Sequence, residues 1–533
     1  MQVARIASAW LAIASASPAV AAESVASYDI RLRAAGAAVE VTGGAVLPPL
    51  AEGGRTWSFL LTPLVGRPFF ALTCARRALP LAGLFAGDDG GDRRWTLVAA
   101  AECPAGSVLR LAFRYRIEAA APQLRISDSW SFATGGGEIW YPQRSFAERE
   151  TARITLDLPA RFTGIATGRL TARARRGGRE ILRYAAEEPA KLAFAYGPYR
   201  DAAAGAGRPV RVLSTGSGAE ARRLVAALSP VIGALTRVFG PAPYPSLALV
   251  ETDFRSRVLG TSEYGMLFAD PSKMRGEFDI AYWAHEFGHQ WWGNSVRSTS
   301  GSSGAALLTE AIAQYGALVT LEALAGGAAA AEYRRSGRPG SAAHSLQFYR
   351  DLAASGRDVA PASFLPNGQD EILLGHRLAT SKGALVLYYL AALAGPERFH
   401  ALLRSFLAAK AGGRATWAEL EQWIDRGTDG RFRWLFEDWL HRAGAPRIAV
   451  AWCIAGDRVR GTVRQAGTPY RLALPIEVAG GWGSIRATVA ASGELTPFEL
   501  HAPGAIGRVA ADPDSVVPAL AIATAPPAEG CSG

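Results

Sequence analysis

Residues Ala281 to Asn294 read AYWAHEFGHQWWGN and contain the pattern HExxH between His285 and His289. Because residues four apart lie on the same face of a helix, both imidazoles can reach one metal ion. Glu286 projects toward the same ion, where a carboxylate polarises a bound water rather than serving as a ligand. The alternative interpretation is a buried helix with two hydrogen-bonded histidines. The complete pattern favours a zinc site of the hydrolytic kind.

A catalytic zinc ion needs a third protein ligand and keeps one position open for water. Downstream, Leu307 to Tyr315 reads LLTEAIAQY, an apolar helical stretch with a single acidic residue near its start. We therefore predict that Glu310 is the third ligand. A glutamate in the first turn of a helix also complements the helix dipole without binding a metal. Glu322, farther along the same stretch, is the next candidate.

These motifs resemble those of the gluzincin zinc metallopeptidases of the aminopeptidase N (membrane alanyl aminopeptidase) type. HEFGHQWWGN and LLTEAIAQY are similar to the paired metal-binding helices of that family. Upstream, GTSEY falls where the family carries GxMEN, whose glutamate binds the free α-amine of the substrate, and Glu263 is the matching residue. The resemblance implies one Zn²⁺ per chain, held by His285, His289 and Glu310.

The sequence departs from this family at the catalytic tyrosine. The family places that tyrosine two positions before a Lys-Gly pair, where its hydroxyl stabilises the oxyanion, and this chain has Thr380 there. Threonine is too short to reach the same point, and the loss of one oxyanion donor typically costs about a hundredfold in turnover. The candidates for a substitute donor are His376, Arg377 and Tyr264.

The resemblance implies a zinc metallopeptidase that hydrolyses N-terminal peptide bonds, with Glu286 as the general base and peptides with a free N-terminus as substrates. Two other classes stay open. A zinc endopeptidase, or another hydrolase on the same fold, needs no amine clamp. A zinc-retaining binding protein without turnover is compatible with Thr380, but such a protein has no chemical need for Glu286.

The N-terminus predicts export. Residues 1–22 combine Arg5, a short apolar run and an Ala-Val-Ala cleavage pattern, and the apolar run is too short for a membrane span. We expect a periplasmic or secreted protein without stable membrane insertion. Four cysteines suit an oxidising compartment, where the simplest pairing is Cys74–Cys103 and Cys453–Cys531. The other two connectivities, and free thiols, stay open.

The net charge of +10 comes from basic residues scattered along the chain, without a dense run or a nucleic-acid-binding motif. We expect no nucleic-acid partner, and the sequence carries no signal for an oligomeric state.

Patterning predicts a multidomain α+β fold. Short alternating runs such as Arg153 to Leu158 indicate strands, and the middle of the chain has mainly helical periodicity. With the family resemblance, this predicts a signal peptide (1–22), an N-terminal antiparallel β-domain (23–207), a thermolysin-like, mainly helical zinc peptidase catalytic domain (208–444), a small β-sandwich (445–520) and a tail (521–533).

Overall fold

The computed structural model describes residues 25–524 except 49–53, 67, 90–91, 119, 137, 145–147, 205–209, 245–246, 255–259 and 339–342. The predicted signal peptide, the end of the predicted tail and Cys531 therefore lie outside the described residues.

The N-terminal region is built from β-strands because its sequence alternates apolar and polar side chains over short runs. In the first strand, for example, every second residue is buried. The strands are β1 (Ser27–Ala34), β2 (Val39–Leu47), β3 (Gly54–Leu61), β4 (Phe69–Cys74), β5 (Arg77–Leu79), β6 (Leu81–Asp89), β7 (Asp92–Cys103), β8 (Leu109–Ile117), β9 (Ala120–Ala121), β10 (Leu124–Arg125), β11 (Ser131–Ala133), β12 (Glu150–Pro159), β13 (Thr163–Ala166), β14 (Arg169–Arg176), β15 (Arg179–Ala190) and β16 (Phe194–Gly197).

These strands form three sheets, with the orders β14-β15-β12-β1-β2-β8-β4-β5, β13-β16-β11-β10-β9 and β3-β7-β6. Neighbouring strands in these sheets pair antiparallel, as predicted, with one exception. Strands β1 and β12 run parallel to each other. The two strands are distant in sequence, so no tight hairpin sets their relative direction. Their buried side chains contribute to one apolar core beneath the sheets.

The central region begins with a five-stranded sheet in the order β17-β18-β19-β21-β20. Its strands are β17 (Arg200–Ala204), β18 (Val210–Ser214), β19 (Leu247–Glu251), β20 (Gly260–Glu263) and β21 (Met266–Ala269). β18, β19 and β21 run parallel, whereas β17 and β20 pair antiparallel at the two edges. Since β17 already belongs to this sheet, the sheet begins before the boundary predicted at residue 208.

Helices form most of the rest of the central region, as the 3.6-residue periodicity predicts. They are α1 (Gly218–Phe239), α2 (Pro271–Arg275), α3 (Ile280–Gly288), α4 (Ile312–Ala325), α5 (Gly327–Ser336), α6 (Leu346–Ala354), α7 (Gln369–Leu378), α8 (Ala384–Ala394), α9 (Pro396–Lys410), α10 (Trp417–Gly427) and α11 (Arg433–Trp439). Two short strands, β22 (Arg297–Ser298) and β23 (Arg414–Ala415), pair beside them. Two π-helical turns, Leu307–Ala311 and Ala379–Gly383, precede α4 and α8 and contact each other.

The C-terminal region is a small two-sheet sandwich, as predicted. Its strands are β24 (Arg447–Ala455), β25 (Arg458–Ala466), β26 (Leu472–Gly480), β27 (Gly483–Ala491), β28 (Leu495–His501), β29 (Arg508–Ala511) and β30 (Ala521–Thr524). The sheet orders are β28-β25-β24-β30 and β27-β26-β29. β30 pairs parallel with β24, so residues 521–524, which the sequence assigned to the tail, form an edge strand of the sandwich. The helical and C-terminal regions share a second continuous apolar core.

A disulfide joins Cys74 at the end of β4 to Cys103 at the end of β7, which confirms that predicted pair. Cys453 is also disulfide-bonded, and its predicted partner Cys531 lies outside the described residues. In the described part of the chain, no single helix is long and apolar enough to cross a membrane. Asp370–Ala394 and Pro396–Lys410 pass that test only together, with a bend of 118° between them.

Candidate active site

Helix α3 presents the two histidines of the HExxH pattern to the same point. The Asp279 side chain caps its N-terminus by accepting a hydrogen bond from the Tyr282 backbone N–H. His289 directly follows the last helical residue and keeps right-handed helical dihedral angles, so the four-residue spacing still aligns the rings. The Nε2 atoms of His285 and His289 lie 3.1 Å apart.

Glu310 approaches this pair from the π-helical turn that precedes α4. Its Oε2 atom lies 3.5 Å from Nε2 of His285 and 3.6 Å from Nε2 of His289. The sequence predicted an ordinary helix here, whereas the structure has a π-helical turn, a feature that is frequent at functional sites. Glu322, the second candidate ligand, is elsewhere and accepts a hydrogen bond from the Tyr388 hydroxyl.

The three ligand atoms fit one zinc ion. A tetrahedral ion with Zn–N bonds of about 2.0–2.1 Å places its ligand atoms roughly 3.3–3.4 Å apart, and the observed separations are 3.1, 3.5 and 3.6 Å. Within the described residues, His285, His289 and Glu310 are the one group of three or more such side chains with this capacity. Two histidine nitrogens and one glutamate oxygen are also one of the donor sets found in catalytic zinc sites.

The groups around these side chains favour the protonation states that bind a cation. His289 donates its Nδ1–H to the Trp292 carbonyl oxygen over 3.1 Å, which leaves the Nε2 lone pair free for a metal. Burial by itself would raise the pKa of Glu310. The interactions with His289 and His285 outweigh burial and hold the pKa of Glu310 well below its usual range. The carboxylate is therefore ionised, as a metal ligand requires.

His285 and Glu310 of the triad line a cavity of about 460 Å³, and Glu286 lines it as well. Gly260, the first residue of β20, lines the same cavity and comes very close to α3. A Cβ atom at residue 260 would contact the Tyr282 hydroxyl and lie 3.3 Å from Oε1 of Glu286. An added Cβ would therefore displace the Tyr282 hydroxyl and crowd the Glu286 carboxylate.

Glu263, at the other end of β20, does not line this cavity. Its side chain is only 4% exposed and accepts a hydrogen bond from the Gly136 backbone of the N-terminal region. Burial raises the pKa of Glu263, and the positive charges of Lys191 and Arg149 partly oppose this rise. A Cβ at Gly136 would fall 2.7 Å from the carboxylate, so the two regions meet very closely here.

The candidate oxyanion donors have different positions. Thr380 lines the cavity, but its hydroxyl donates to the His376 backbone carbonyl over 3.0 Å, so it is turned back onto its own helix. His376 and Arg377 line the same cavity. Tyr264 does not: its hydroxyl donates to Glu188, and its ring lines a separate cavity of about 320 Å³. Tyr264 is therefore not placed to serve as the oxyanion donor.

His344 is a cavity residue that the sequence analysis missed. Its ring lies nearly parallel to that of His285, with the centroids 5.8 Å apart. Its backbone φ is +65°, an uncommon value for a residue other than glycine. Burial, together with the charge of His285, lowers the pKa of His344 to about 4, so the imidazole is neutral at neutral pH. No local motif surrounds His344, and only the folded chain brings it to the metal ligands.

The fold and the site together resemble those of gluzincin metallopeptidases: a mixed sheet is followed by helices, with HExxH on one helix and a glutamate at the start of the next. Residues 264–439 match the model of the family described as the Peptidase family M1 domain. The resemblance noted in the sequence is thereby confirmed.

Among solved structures, the chain is similar to the crystal structure of Legionella pneumophila aminopeptidase A in complex with aspartic acid. The TM-score is 0.70 at 12% sequence identity, over 94% of this chain and 59% of that chain. The chain thus spans less than two thirds of that protein's length, and at this identity the likeness shows the fold. No curated protein matches the sequence.

Proposed function

We propose that the protein is a zinc-dependent aminopeptidase, with His285, His289 and Glu310 as the metal ligands. The observation that carries the proposal is the convergence of their three ligand atoms, none more than 3.6 Å from another, in the cavity that Glu286 also lines. Zinc, when bound there, supplies a Lewis acid that polarises a peptide carbonyl and makes water more acidic.

Glu286 is the general base of this proposal. Its carboxylate takes the proton of the attacking water and later returns it to the leaving amine. Its neighbours on the wall of the cavity are Gly260 and Tyr282, and the charge of Lys273 acts on the carboxylate without forming an ion pair with it. The base is therefore held in place while it stays free to exchange a proton.

His344 is the cavity group that we assign to the oxyanion in place of the family tyrosine. Stacking against His285 and a half-buried position restrain its ring, whereas His376 is exposed and can rotate. A fixed donor stabilises developing negative charge better than a mobile one, because it needs no reorganisation during the reaction.

The role of Glu263 as the amine clamp rests on the family resemblance. β20 links it to the cavity, since Gly260 lines the wall and Glu263 lies about 10 Å farther along the strand. However, its burial against Gly136 and the nearby charges of Lys191 and Arg149 favour a second candidate function. In that case the protein is an endopeptidase, which needs no amine clamp.

Hydrolysis of aminoacyl-arylamides and of their N-acetylated counterparts by the purified mature protein tests both functions. An aminopeptidase cleaves only the free-amine series, and Glu263→Gln reduces this selectivity. Cleavage of the acetylated series that is insensitive to Glu263→Gln would establish the endopeptidase. Glu286→Gln and a chelator are the controls, since either abolishes zinc-dependent cleavage. Silence toward both series, with zinc bound, would indicate the binding protein.

We also propose that the protein is exported through the signal at residues 1–22. The Cys74–Cys103 disulfide supports this location, because such bonds persist in oxidising compartments. N-terminal sequencing of the protein recovered from the periplasm or the medium tests the proposal. A mature N-terminus near residue 23 is expected, and an intact Met1 in a cytoplasmic fraction would contradict it.

A further inference from the structure

We propose that the outer face of the eight-stranded sheet in the N-terminal region binds a membrane surface rich in anionic lipids. This face consists of the exposed side chains of β4, β8, β2, β1, β12 and β15, which lie side by side in that order. It shares no residue with the active-site cavity. The inference is therefore independent of the proposed peptidase function.

Strand alternation separates the outer face from the core. In β8, Arg110, Arg114 and Arg116 are exposed, whereas the residues between them, such as Leu111 and Phe113, are buried. The first strand, β1, alternates in the same way. Because directly opposite residues of neighbouring strands lie on the same side of a sheet, the strand register shows which exposed side chains are neighbours.

One cross-strand row of the outer face alternates arginine with threonine. Across the sheet, the register gives Arg114, Thr42, Arg31, Thr155 and Arg183. Successive arginines are two strands apart, which is about 10 Å between their backbones. This spacing is close to the Debye length at physiological ionic strength, so the fields of neighbouring arginines add together.

The next row adds further charge. It contains Arg116, Glu40, Arg33 and Asp157 in register. Arg116 also pairs with Glu118, just beyond the end of β8. The two rows together hold five arginines and two carboxylates, so the outer face is positively charged over several strands.

Ion pairs compensate only part of this charge. Asp157 pairs with Arg31, with 2.5 Å between Nη2 and Oδ2. Arg33, Arg114 and Arg183 are exposed, and their side chains have no ion-pair partner among the described residues. These three arginines are therefore available to an external anion.

Exposed apolar side chains accompany the arginines. Phe69 lies opposite Arg114 and is 54% exposed, with the guanidinium 5.7 Å from the centroid of its ring. Val46 lies opposite Arg110 and is 36% exposed.

This combination favours a lipid surface as the partner. Anionic headgroups attract the arginines, while apolar side chains enter the boundary between headgroups and acyl chains. A nucleic acid would also attract the arginines through its phosphates, but it offers no apolar layer for Val46. The spread of charge along and across the strands also matches a two-dimensional array of headgroups.

Sedimentation of the purified mature protein with vesicles tests the proposal. We expect it to bind equimolar phosphatidylcholine and phosphatidylglycerol vesicles at least roughly tenfold more tightly than pure phosphatidylcholine vesicles. Binding should weaken as the salt concentration rises, because salt screens the arginines.

The triple variant Arg33→Gln, Arg114→Gln and Arg183→Gln removes the unpaired charges from the outer face. Its partition onto the mixed vesicles should fall roughly a hundredfold, since each arginine near an anionic surface contributes about fivefold. Phe69→Ser leaves the charge unchanged and should also weaken vesicle binding, but not binding to duplex DNA. Thermal unfolding of each variant checks that it is folded.

The matched control is the triple variant Arg222→Gln, Arg223→Gln and Arg464→Gln. It makes the same change in net charge at exposed positions of α1 and β25. It should bind the mixed vesicles like the wild type. An equal loss in the control would overturn the proposal, because net charge and not the outer face would then determine binding.

Two further outcomes would overturn the proposal. Wild-type protein that does not prefer the mixed vesicles at low salt has no anionic-lipid site. Protein that binds duplex DNA through Arg33, Arg114 and Arg183 but ignores the vesicles has a nucleic-acid surface instead. Both assays work without turnover, so neither result depends on whether the protein cleaves arylamides.

Discussion

The Nε2 atoms of His285 and His289 face each other at 3.1 Å, and the same carboxylate oxygen of Glu310 lies 3.5 and 3.6 Å from them. Two imidazole nitrogens at this distance repel through their lone pairs unless a proton or a cation lies between them. The His289 Nδ1–H is already used by the Trp292 carbonyl. A shared cation therefore satisfies all three side chains at once.

Glu310→Gln is expected to weaken zinc binding by more than roughly a hundredfold, because it removes the charged ligand. Metal content after dialysis against a competing chelator measures this, with an expected value of one zinc per wild-type chain and almost none for the variant. Glu322→Gln is the matched control, since that carboxylate binds the Tyr388 hydroxyl away from the triad. Full zinc retention by Glu310→Gln would show that another residue completes the site.

Glu286→Gln is expected to keep one zinc per chain while it lowers kcat by about 10²–10⁴-fold, the typical contribution of a general base. The glutamine keeps the size of the side chain but cannot take a proton. Metal analysis and kinetics on the same sample separate the two effects. Residual activity near that of the wild type would exclude Glu286 as the base.

His344→Ala is expected to lower kcat about a hundredfold, as loss of one oxyanion donor does, and His376→Ala much less. The difference follows from the fixed, stacked ring of His344 and the exposed ring of His376. The affinity of a phosphinic peptide, which mimics the tetrahedral geometry, should fall with kcat. An uncharged product analogue should bind as before. Equal losses for both ligands would point to a structural role.

Gly260→Ala is expected to reduce kcat by about tenfold, because the added methyl group displaces the Tyr282 hydroxyl and crowds the Glu286 carboxylate. Gly327→Ala is the control, since a Cβ there meets no atom within 4 Å. Kinetics at full zinc occupancy measure the effect. Wild-type turnover in Gly260→Ala would mean that the position of Glu286 tolerates this shift.

Glu150 makes the stability of the N-terminal region depend on pH. It is 1% exposed, accepts a hydrogen bond from Tyr141 at 2.7 Å, and burial raises its pKa from 4.5 to about 7. The folded chain thus holds a proton that the unfolded chain has lost between these values. Its contribution is complete below pH 4.5, declines as the pH rises, and has fallen by about 3 kcal/mol above pH 7.

Glu150→Gln is therefore expected to raise the free energy of unfolding at pH 8 and to change it little at pH 4.5. Urea unfolding at both pH values measures this. Glu40→Gln, on the exposed side of β2, should have no effect at either pH. A variant that is equally destabilised at both pH values would show that Glu150 is ionised in the folded protein.

Local sequence was sufficient to predict the three candidate metal ligands that the fold brings together, and most of the architecture. HExxH places two imidazoles on one helical face whatever surrounds the helix, and Glu310 follows at the start of the next apolar stretch. Strand alternation and helical periodicity likewise predicted the N-terminal sheets, the helical middle and the C-terminal sandwich. These features depend on the spacing of residues within short segments, and that spacing is the same whatever tertiary structure the chain adopts.

Tertiary structure determines which residues line the active-site cavity. His344, Lys273 and Arg377 come from separate elements, and no periodicity relates them to HExxH. Tertiary structure also determines the surroundings of two residues that are adjacent in sequence. Glu263 is buried against Gly136, whereas the Tyr264 hydroxyl donates a hydrogen bond to Glu188 and the Tyr264 ring lines another cavity. Glu263 is the last residue of β20 and Tyr264 lies in the turn that leads to β21, so strand alternation does not set their relative directions, and only the packing of the two regions determines what each side chain meets.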